Sequence, residues 1–357
     1  MFDLPTLRES RTGTREDVSR YETLAIDTVD ETPVSEWNDL VRRVNESTIF
    51  HRHEWLTAIE RAYDRRPCHI EVRKDGNLVG LLPQFEMSVP RVPMRQIRSI
   101  HPGFGGPVVG TDRATVLRAL FNGSADLCGG RRVLHEIRSC NAETLRYHDH
   151  LQRQGYRPTR YKARFVIDLD RSYDEVFAQM DRSKKRGIER GRATDHDIVE
   201  EPLDSADLDQ LHEAHVTHMR AVGGEVIPRA FFEHLGAMSD DLLHLSLYVE
   251  GEYVGAFIEL LDRPRDTVHG FLAALKPAYF EHHVSELMYD HVFQWAIDHD
   301  FGRYDFGGGG GDFQNGVFSF KSEFGGTLES NFYWERGFGP LWPIVRLGRS
   351  LYLANRS

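Results

Sequence analysis

The sequence predicts a mixed α/β layer fold built as two similar lobes in tandem. Three observations carry the prediction. First, the pattern helix, strand, acidic-Gly turn, strand occurs twice. "HIEVRKDGNLVGLLPQF" begins at His69 and "HLSLYVEGEYVGAFIEL" at His244, an offset of 175 that matches His69 with His244, Gly76 with Gly251, Val79 with Val254 and Gly80 with Gly255. A repeat spaced at about half the chain implies a duplicated unit. Second, the segment behind the second copy runs strand, helix, strand, an order that belongs to layered α/β architecture. Third, the 357 residues exceed one ordinary core and suit a pair of domains.

The elements follow in order. Residues 1–20 are polar, lack the apolar centre of a signal peptide and read as a loose leader. The first lobe spans 21–170. Its amphipathic helix carries Trp55, Leu56, Ile59, Ala62 and Tyr63 on one face, and its hairpin turns at Asp75-Gly76, where a two-residue turn needs positive φ. The second lobe spans 171–335 and opens on a basic helix, "DRSKKRGIERGRA". Within residues 182–192 lie Arg182, Lys184, Lys185, Arg186, Arg190 and Arg192 against the single acid Glu189. A helix with Phe231, Phe232, Leu235 and Met238 on one face precedes the second hairpin, which turns at Glu250-Gly251. "TVHGFLAAL" is a strand. Val284, Leu287, Met288, Val292, Trp295 and Ala296 recur at helical spacing, and that helix stops before Phe301-Gly302. The strand "RYDFG" then runs into five glycines, residues 307–311. "VFSFKSEF" alternates, with Val317, Ser319, Lys321 and Glu323 on one side and Phe318, Phe320 and Phe324 largely on the other, and is expected to be a strand. Residues 336–357 form a short basic amphipathic helix that either packs back on the first lobe or touches a membrane surface.

Composition narrows the function classes. No run approaches the ~20 apolar residues of a membrane span, so a cytoplasmic location is expected. Cys68, Cys128 and Cys140 are odd in number and none has CxxC spacing, which excludes a disulfide scaffold and leaves isolated thiols. The net charge of −11 argues against DNA as a partner, although the basic helix is a local exception. His51/His53 and His282/His283 lack ligand-like helical spacing, so no metal site is expected.

The repeated acidic-Gly hairpin ending in Val-Gly resembles the GNAT acyltransferase fold, and a tandem of such lobes resembles the FemAB-like (Fem-type) transferases. "STIFHRHEWLTAIERAYDRRPCHIEVRKDGNLVGLLPQF" looks like that family's N-terminal lobe and "MDRSKKRGIERGRATDHDIV" like its junction helix. "YDFGGGGGDFQNGVFSFKSEFGG" looks like its C-terminal signature, a Tyr-Asp-Phe-Gly strand end followed by a loop and Phe-Lys-x-x-Phe-Gly. The resemblance covers roughly residues 35–335. It implies two GNAT-like lobes, each a mixed sheet flanked by helices, and transfer of an acyl or aminoacyl group to an amine. The acceptor would be a phosphate-bearing small molecule or cell-envelope precursor. The donor would be aminoacyl-tRNA or acyl-CoA, a co-substrate rather than a tightly bound cofactor, and tRNA would then be a partner as acyl carrier.

Each candidate site residue has a plain reading beside the functional one. Lys321 is either an exposed lysine or, as the resemblance implies, a cation aimed into the cleft to stabilise a carbonyl oxygen that becomes negative. The glycine run is either a surface loop or a tight backbone path whose amides, including those of Gly308 and Gly309, line the cleft. It lacks the Lys-Ser/Thr of a nucleotide-binding loop. Tyr304 and Asp305 end the preceding strand and either point into the cleft or form a strand-end polar pair. Arg186 and Arg190, one helical turn apart, can grip one phosphate, with Lys185 beside them, or form a solvated face. "LAALKPAYFEHHVSEL" lacks the Gln/Arg-x-x-Gly-x-Gly/Ala loop that holds the coenzyme A diphosphate. The attacking amine is deprotonated by Glu259, by Asp305, or by water and the substrate itself. The competing functional class is a non-catalytic binding module recognising a nucleotide-sugar or RNA through the basic helix.

Overall fold

The structure is a computed structural model describing residues 20–89, 92–139, 142–204, 206–308 and 314–354. The expected leader lies almost wholly outside these residues, as do Cys140 and Gly309.

The first half runs β1 (Tyr21–Ile26), α1 (Val34–Arg43), α2 (His53–Ala62), β2 (Arg66–Pro67), β3 (His69–Lys74), β4 (Asn77–Leu82), β5 (Gln84–Ser88), β6 (Arg95–Ser99), β7 (Val108–Val109), α3 (Arg113–Leu127), β8 (Arg132–Arg138) and α4 (His148–Arg153). The second runs β9 (Arg157–Asp168), α5 (Tyr173–Gln179), α6 (Arg182–Arg192), β10 (His196–Glu200), α7 (Leu208–Val222), α8 (Arg229–Leu235), β11 (Leu242–Val249), β12 (Glu252–Asp262), β13 (Thr267–Leu275), α9 (Val284–Asp298), β14 (Arg303–Gly308), α10 (Gly316–Ser322), β15 (Thr327–Gly337) and α11 (Trp342–Ala354).

The duplication is visible in backbone detail. Asp75 and Gly76 have φ of 50° and 84°, Glu250 and Gly251 52° and 80°, so both hairpins turn through the left-handed region as two-residue turns require. Each hairpin has a register irregularity at the same place, between Val72 and Arg73 in one and between Leu247 and Tyr248 in the other. Gly80 pairs with Val72 and Gly255 with Leu247. A Cβ on Gly255 would meet the Ala274 carbonyl oxygen at 1.9 Å, with φ at +147°; on Gly80 it would meet the Val116 side chain at 2.3 Å. Backbone cannot step aside as a side-chain methyl can. Gly255→Ala is therefore expected to destabilise by about 3 kcal/mol or more and Gly80→Ala by about 1–3 kcal/mol, read from urea unfolding curves.

The halves do not keep separate sheets. One eleven-stranded sheet runs β10-β11-β12-β13-β14-β9-β15-β8-β6-β5-β2, and a four-stranded sheet, β1-β3-β4-β7, stands apart. β15 is the seam, antiparallel to β9 on one side and β8 on the other. A core is shared too. The predicted apolar faces of α2 and α8 meet, burying Trp55, Leu56 and Ile59 against Phe231, Phe232 and Leu235. The Trp55 and Phe231 rings lie edge to face at 5.2 Å, a geometry worth about 0.5–1.5 kcal/mol beyond area burial.

One expectation is corrected. Residues 316–322 are a helix, α10, not a strand. Asn315 caps it, its side-chain oxygen accepting from the Val317 and Phe318 amides. Val317 and Lys321, like Phe320 and Phe324, sit four apart, so the same residues that alternate also satisfy helical spacing. α11 forms as expected, but Ile344 and Leu347 on it are 70% and 64% exposed. Among the described residues, no helix is long and apolar enough to cross a membrane.

Candidate active site between the lobes

β13 and β14 are parallel and pair only over Thr267–His269 and Arg303–Asp305. Beyond that point the strands part. Gly307 takes φ +68° and its amide is held by Asp305 Oδ1 at 2.9 Å, which turns β14 away and leaves residues 270–275 without a β14 partner. Glycine adopts this left-handed backbone at no steric cost. The first glycines of the run thus shape a bend.

The gap opens into a cavity of about 520 Å³ lined from both lobes, by Phe50, His101 and Arg138 on one side and His218, Gly270 and Lys321 on the other. Lys321 projects from α10 into it. Its Nζ donates to the carbonyls of Phe306 (2.6 Å) and Gly308 (3.2 Å), and no carboxylate bonds it directly among the described residues. Burial pushes the ammonium down to about 8, against the opposing fields of Asp305 and Glu259. At neutral pH it remains charged, poorly hydrated and held in place by carbonyl dipoles.

Behind the wall lies a dense polar layer. Arg164 bonds Asp305 and Glu329, His269 sits between Asp305 (3.4 Å) and Asp262 (3.7 Å), and Arg265 reaches Asp262 at 3.2 Å. Two guanidinium groups and the His269 ring thus face three carboxylates. Burial alone would raise Asp305, but Arg164, His269 and the Gly307 amide hold it well below the usual carboxylate range. Burial would likewise lower His269, yet Asp262 and Asp305 carry it above the usual histidine value. Asp262 also accepts the Ile49 amide at 2.9 Å, which ties the first lobe to this layer.

The expected residues divide into three sets. Lys321 and Gly308 line the cavity. Tyr304, Asp305 and Glu259 lie one layer deeper, almost wholly buried. The Tyr304 hydroxyl donates to Glu259 at 3.1 Å, and a Cβ on Gly270 would come within 2.5 Å of that hydroxyl, so the pair abuts the β13 backbone from behind. Burial pushes the Glu259 carboxyl well above its usual range and so favours its protonated form, and the residue lies behind β13 rather than in the cavity lining. Asp305 is ionised but locked between Arg164 and His269.

The third set is the basic helix, which lies away from the cavity. Its buried face is Lys184, Gly187, Ile188 and Gly191. Cβ atoms on Gly187 and Gly191 would sit 3.0 Å from Glu286 Cγ and Leu287 Cβ, so α6 is pressed on the first turn of α9. Lys184 pairs with Glu286 at 3.0 Å, and Arg192 with Asp290 at 2.7 Å. Lys185 donates to the Ala178 carbonyl. Arg182, Arg186 and Arg190 form an exposed row with no ion-pair partner among the described residues. Sequence reasoning did not find His101 and Glu225, whose side chains meet at 2.9 Å across the cleft, or His269. The alternation of "TVHGFLAAL" carries a signal for His269; nothing local marks the other two.

A splayed parallel strand pair next to an acidic-Gly hairpin, with the same hairpin repeated in a first lobe, is the arrangement of the tandem GNAT fold of the Fem-like transferases, and this chain has that fold. Residues 168–315 match the family described as an acetyltransferase (GNAT) domain. Among solved structures, the chain is similar to FemX (13% identity, 91% of this chain and 99% of that one, TM-score 0.68). It is also similar to a tandem GNAT protein from the clavulanic acid biosynthesis pathway (13%, 90% and 99%, 0.56) and to L-PGS from Bacillus licheniformis (13%, 92% and 98%, 0.56). No curated protein matches the sequence.

Proposed function

We propose that the protein is an N-acyltransferase that moves an acyl or aminoacyl group to an amine in the cavity between its lobes. The observation that carries this reading is the position of Lys321, a desolvated ammonium held by two carbonyls at the mouth of the β13–β14 gap. Attack of an amine on an ester or thioester puts negative charge on the carbonyl oxygen. A fixed cation in a site of low dielectric stabilises that charge strongly and needs no reorganisation. Asp305 and Glu259 set the electrostatics around Lys321 and need not exchange protons themselves. Replacing Lys321 and assaying transfer tests the reading.

The donor's phosphates need a separate place. In this lobe α6 lies against the first turn of α9, the helix end at which a diphosphate would otherwise find free amides. The exposed row of Arg182, Arg186 and Arg190 supplies cations instead, which favours a donor carried on a phosphate-rich polymer such as aminoacyl-tRNA. Arg186→Ala/Arg190→Ala is expected to weaken binding of charged tRNA and to flatten log Kd against log[salt] by about 1.5–2, measured by fluorescence anisotropy, with transfer from acetyl-CoA, if present, unchanged. Salt slopes equal to wild type would remove tRNA from this face.

A further inference from the structure

We propose that His101 is the general base of the transfer, taking a proton from the acceptor amine at Nδ1, with Glu225 and Arg65 as positioning residues. The inference rests on the transferase reading above. His101 belongs to the loop after β6 and lines the cavity. Its Nε2 lies 2.9 Å from a carboxylate oxygen of Glu225, which comes from the other lobe, in the loop between α7 and α8. That bond places the ring proton on Nε2 and leaves the Nδ1 lone pair available. Nδ1 has no partner among the described residues. The loop is held firmly. Arg65 donates to the His101 carbonyl and reaches Glu225 at 3.3 Å, and Trp55 Nε1 donates to the Pro102 carbonyl at 3.3 Å.

Position favours His101 over the other titratable groups of the cleft. A Cβ on Gly103 would lie 2.5 Å from the Phe50 ring, and that ring is 5.5 Å from His269, the residue before Gly270. The His101 loop therefore faces the same end of β13 as Lys321. His218 also lines the cavity, but its Nδ1 lies 3.0 Å from the carbonyl of Leu275, five residues further on and about 17 Å along the strand. Both nitrogens of His269 are engaged by carboxylates. The charged groups facing His101 are Glu225, Arg65 and Arg98, with the Tyr63 ring under Arg65 at 4.0 Å. Burial and the two arginines disfavour the imidazolium, Glu225 favours it, and the balance shifts the ring toward its neutral form.

The step balances as follows. The ammonium form of the acceptor gives one proton to His101 Nδ1. The freed lone pair forms the N–C bond to the donor carbonyl, whose oxygen becomes negative beside Lys321. The bond from that carbon to the leaving oxygen or sulfur then breaks, and the leaving group takes the second amine proton. The amide, the free carrier and imidazolium remain, and His101 returns its proton to water.

The test compares two nucleophiles, Nα-acetyl-lysine amide and hydroxylamine, with acetyl-CoA and alanyl-tRNA as donors. Hydroxylamine is already unprotonated at pH 7 and needs no base, whereas the lysine amine, of pKa about 10, does. His101→Gln keeps an amide N–H for Glu225 and removes the Nδ1 lone pair. It is expected to lower kcat/KM for the lysine amine about 100-fold or more, and that for hydroxylamine by no more than about threefold. Equal losses for both nucleophiles, or no loss, would overturn the proposal. Glu225→Gln is expected to move the acid limb of the pH–rate profile to lower pH; an unmoved limb would count against it. Nitrogen NMR of the wild-type imidazole should show the proton on Nε2, and the opposite tautomer overturns the proposal without reference to activity. A wild-type protein that transfers to neither nucleophile from either donor sinks the transferase reading itself, and the base with it.

Discussion

Lys321→Met is expected to lower kcat about 100- to 1,000-fold while the protein stays folded. The norleucine-like stem of Met fills the same path from α10 to the cavity, so packing is kept. Only the ammonium and its bonds to the Phe306 and Gly308 carbonyls are lost. Lys321→Arg keeps the charge, but a planar fork does not superpose on a compact ammonium seated between two carbonyls, so it should recover little activity. Wild-type turnover should fall as pH rises through about 8, where Lys321 loses its charge. The stability effect has the opposite sign. The folded value, about 8, lies below the ordinary 10.5, so between those limits the unfolded chain binds more protons and stability rises with pH. Lys321→Met should flatten that rise. Full turnover in Lys321→Met would dispose of the oxyanion role.

Asp305→Asn is expected to destabilise by about 3–5 kcal/mol, because it leaves the buried Arg164 guanidinium and the His269 ring without their shared carboxylate. Urea unfolding gives the number, and its pH dependence identifies the cause. Asp305 is held below its unfolded value, so its contribution is present above about 3.9 and is lost as pH falls further. His269 is held above its unfolded value, so its contribution is complete below about 6.5 and is lost as pH rises through the folded value. The layer therefore stabilises most between about pH 4 and 6.5, and both slopes should shrink in the variant. An Asp305→Asn protein as stable as wild type would show that the layer relaxes around a neutral amide.

Much of the fold is legible because its signals are local. The acidic-Gly turns, the apolar faces of α2, α8 and α9, and the 175-residue offset are all short-range patterns, and each appears where it is expected. The exception at Lys321 has a local cause as well. An eight-residue stretch with apolar residues at 317, 318, 320 and 324 fits both periods, and the Asn315 cap decides for helix. The site is less legible. Lys321 could be singled out because its motif is contiguous. Glu259 and Asp305 look like bases in sequence, and only the folded chain shows that burial pushes one carboxyl up while Arg164 and His269 hold the other down. His101 and Glu225 are 124 residues apart, and no local pattern joins them.

By itself, then, the chain's order of residues determined the repeated unit, the turns and the faces each helix buries, because those depend on neighbours within a few positions. The three-dimensional arrangement decided the rest. It joined the halves through β15 into one sheet, parted β13 from β14 at Gly307, and brought Lys321 and His101 to one cavity. These outcomes depend on desolvation and on contacts between distant segments, and neither exists until the two lobes close on each other.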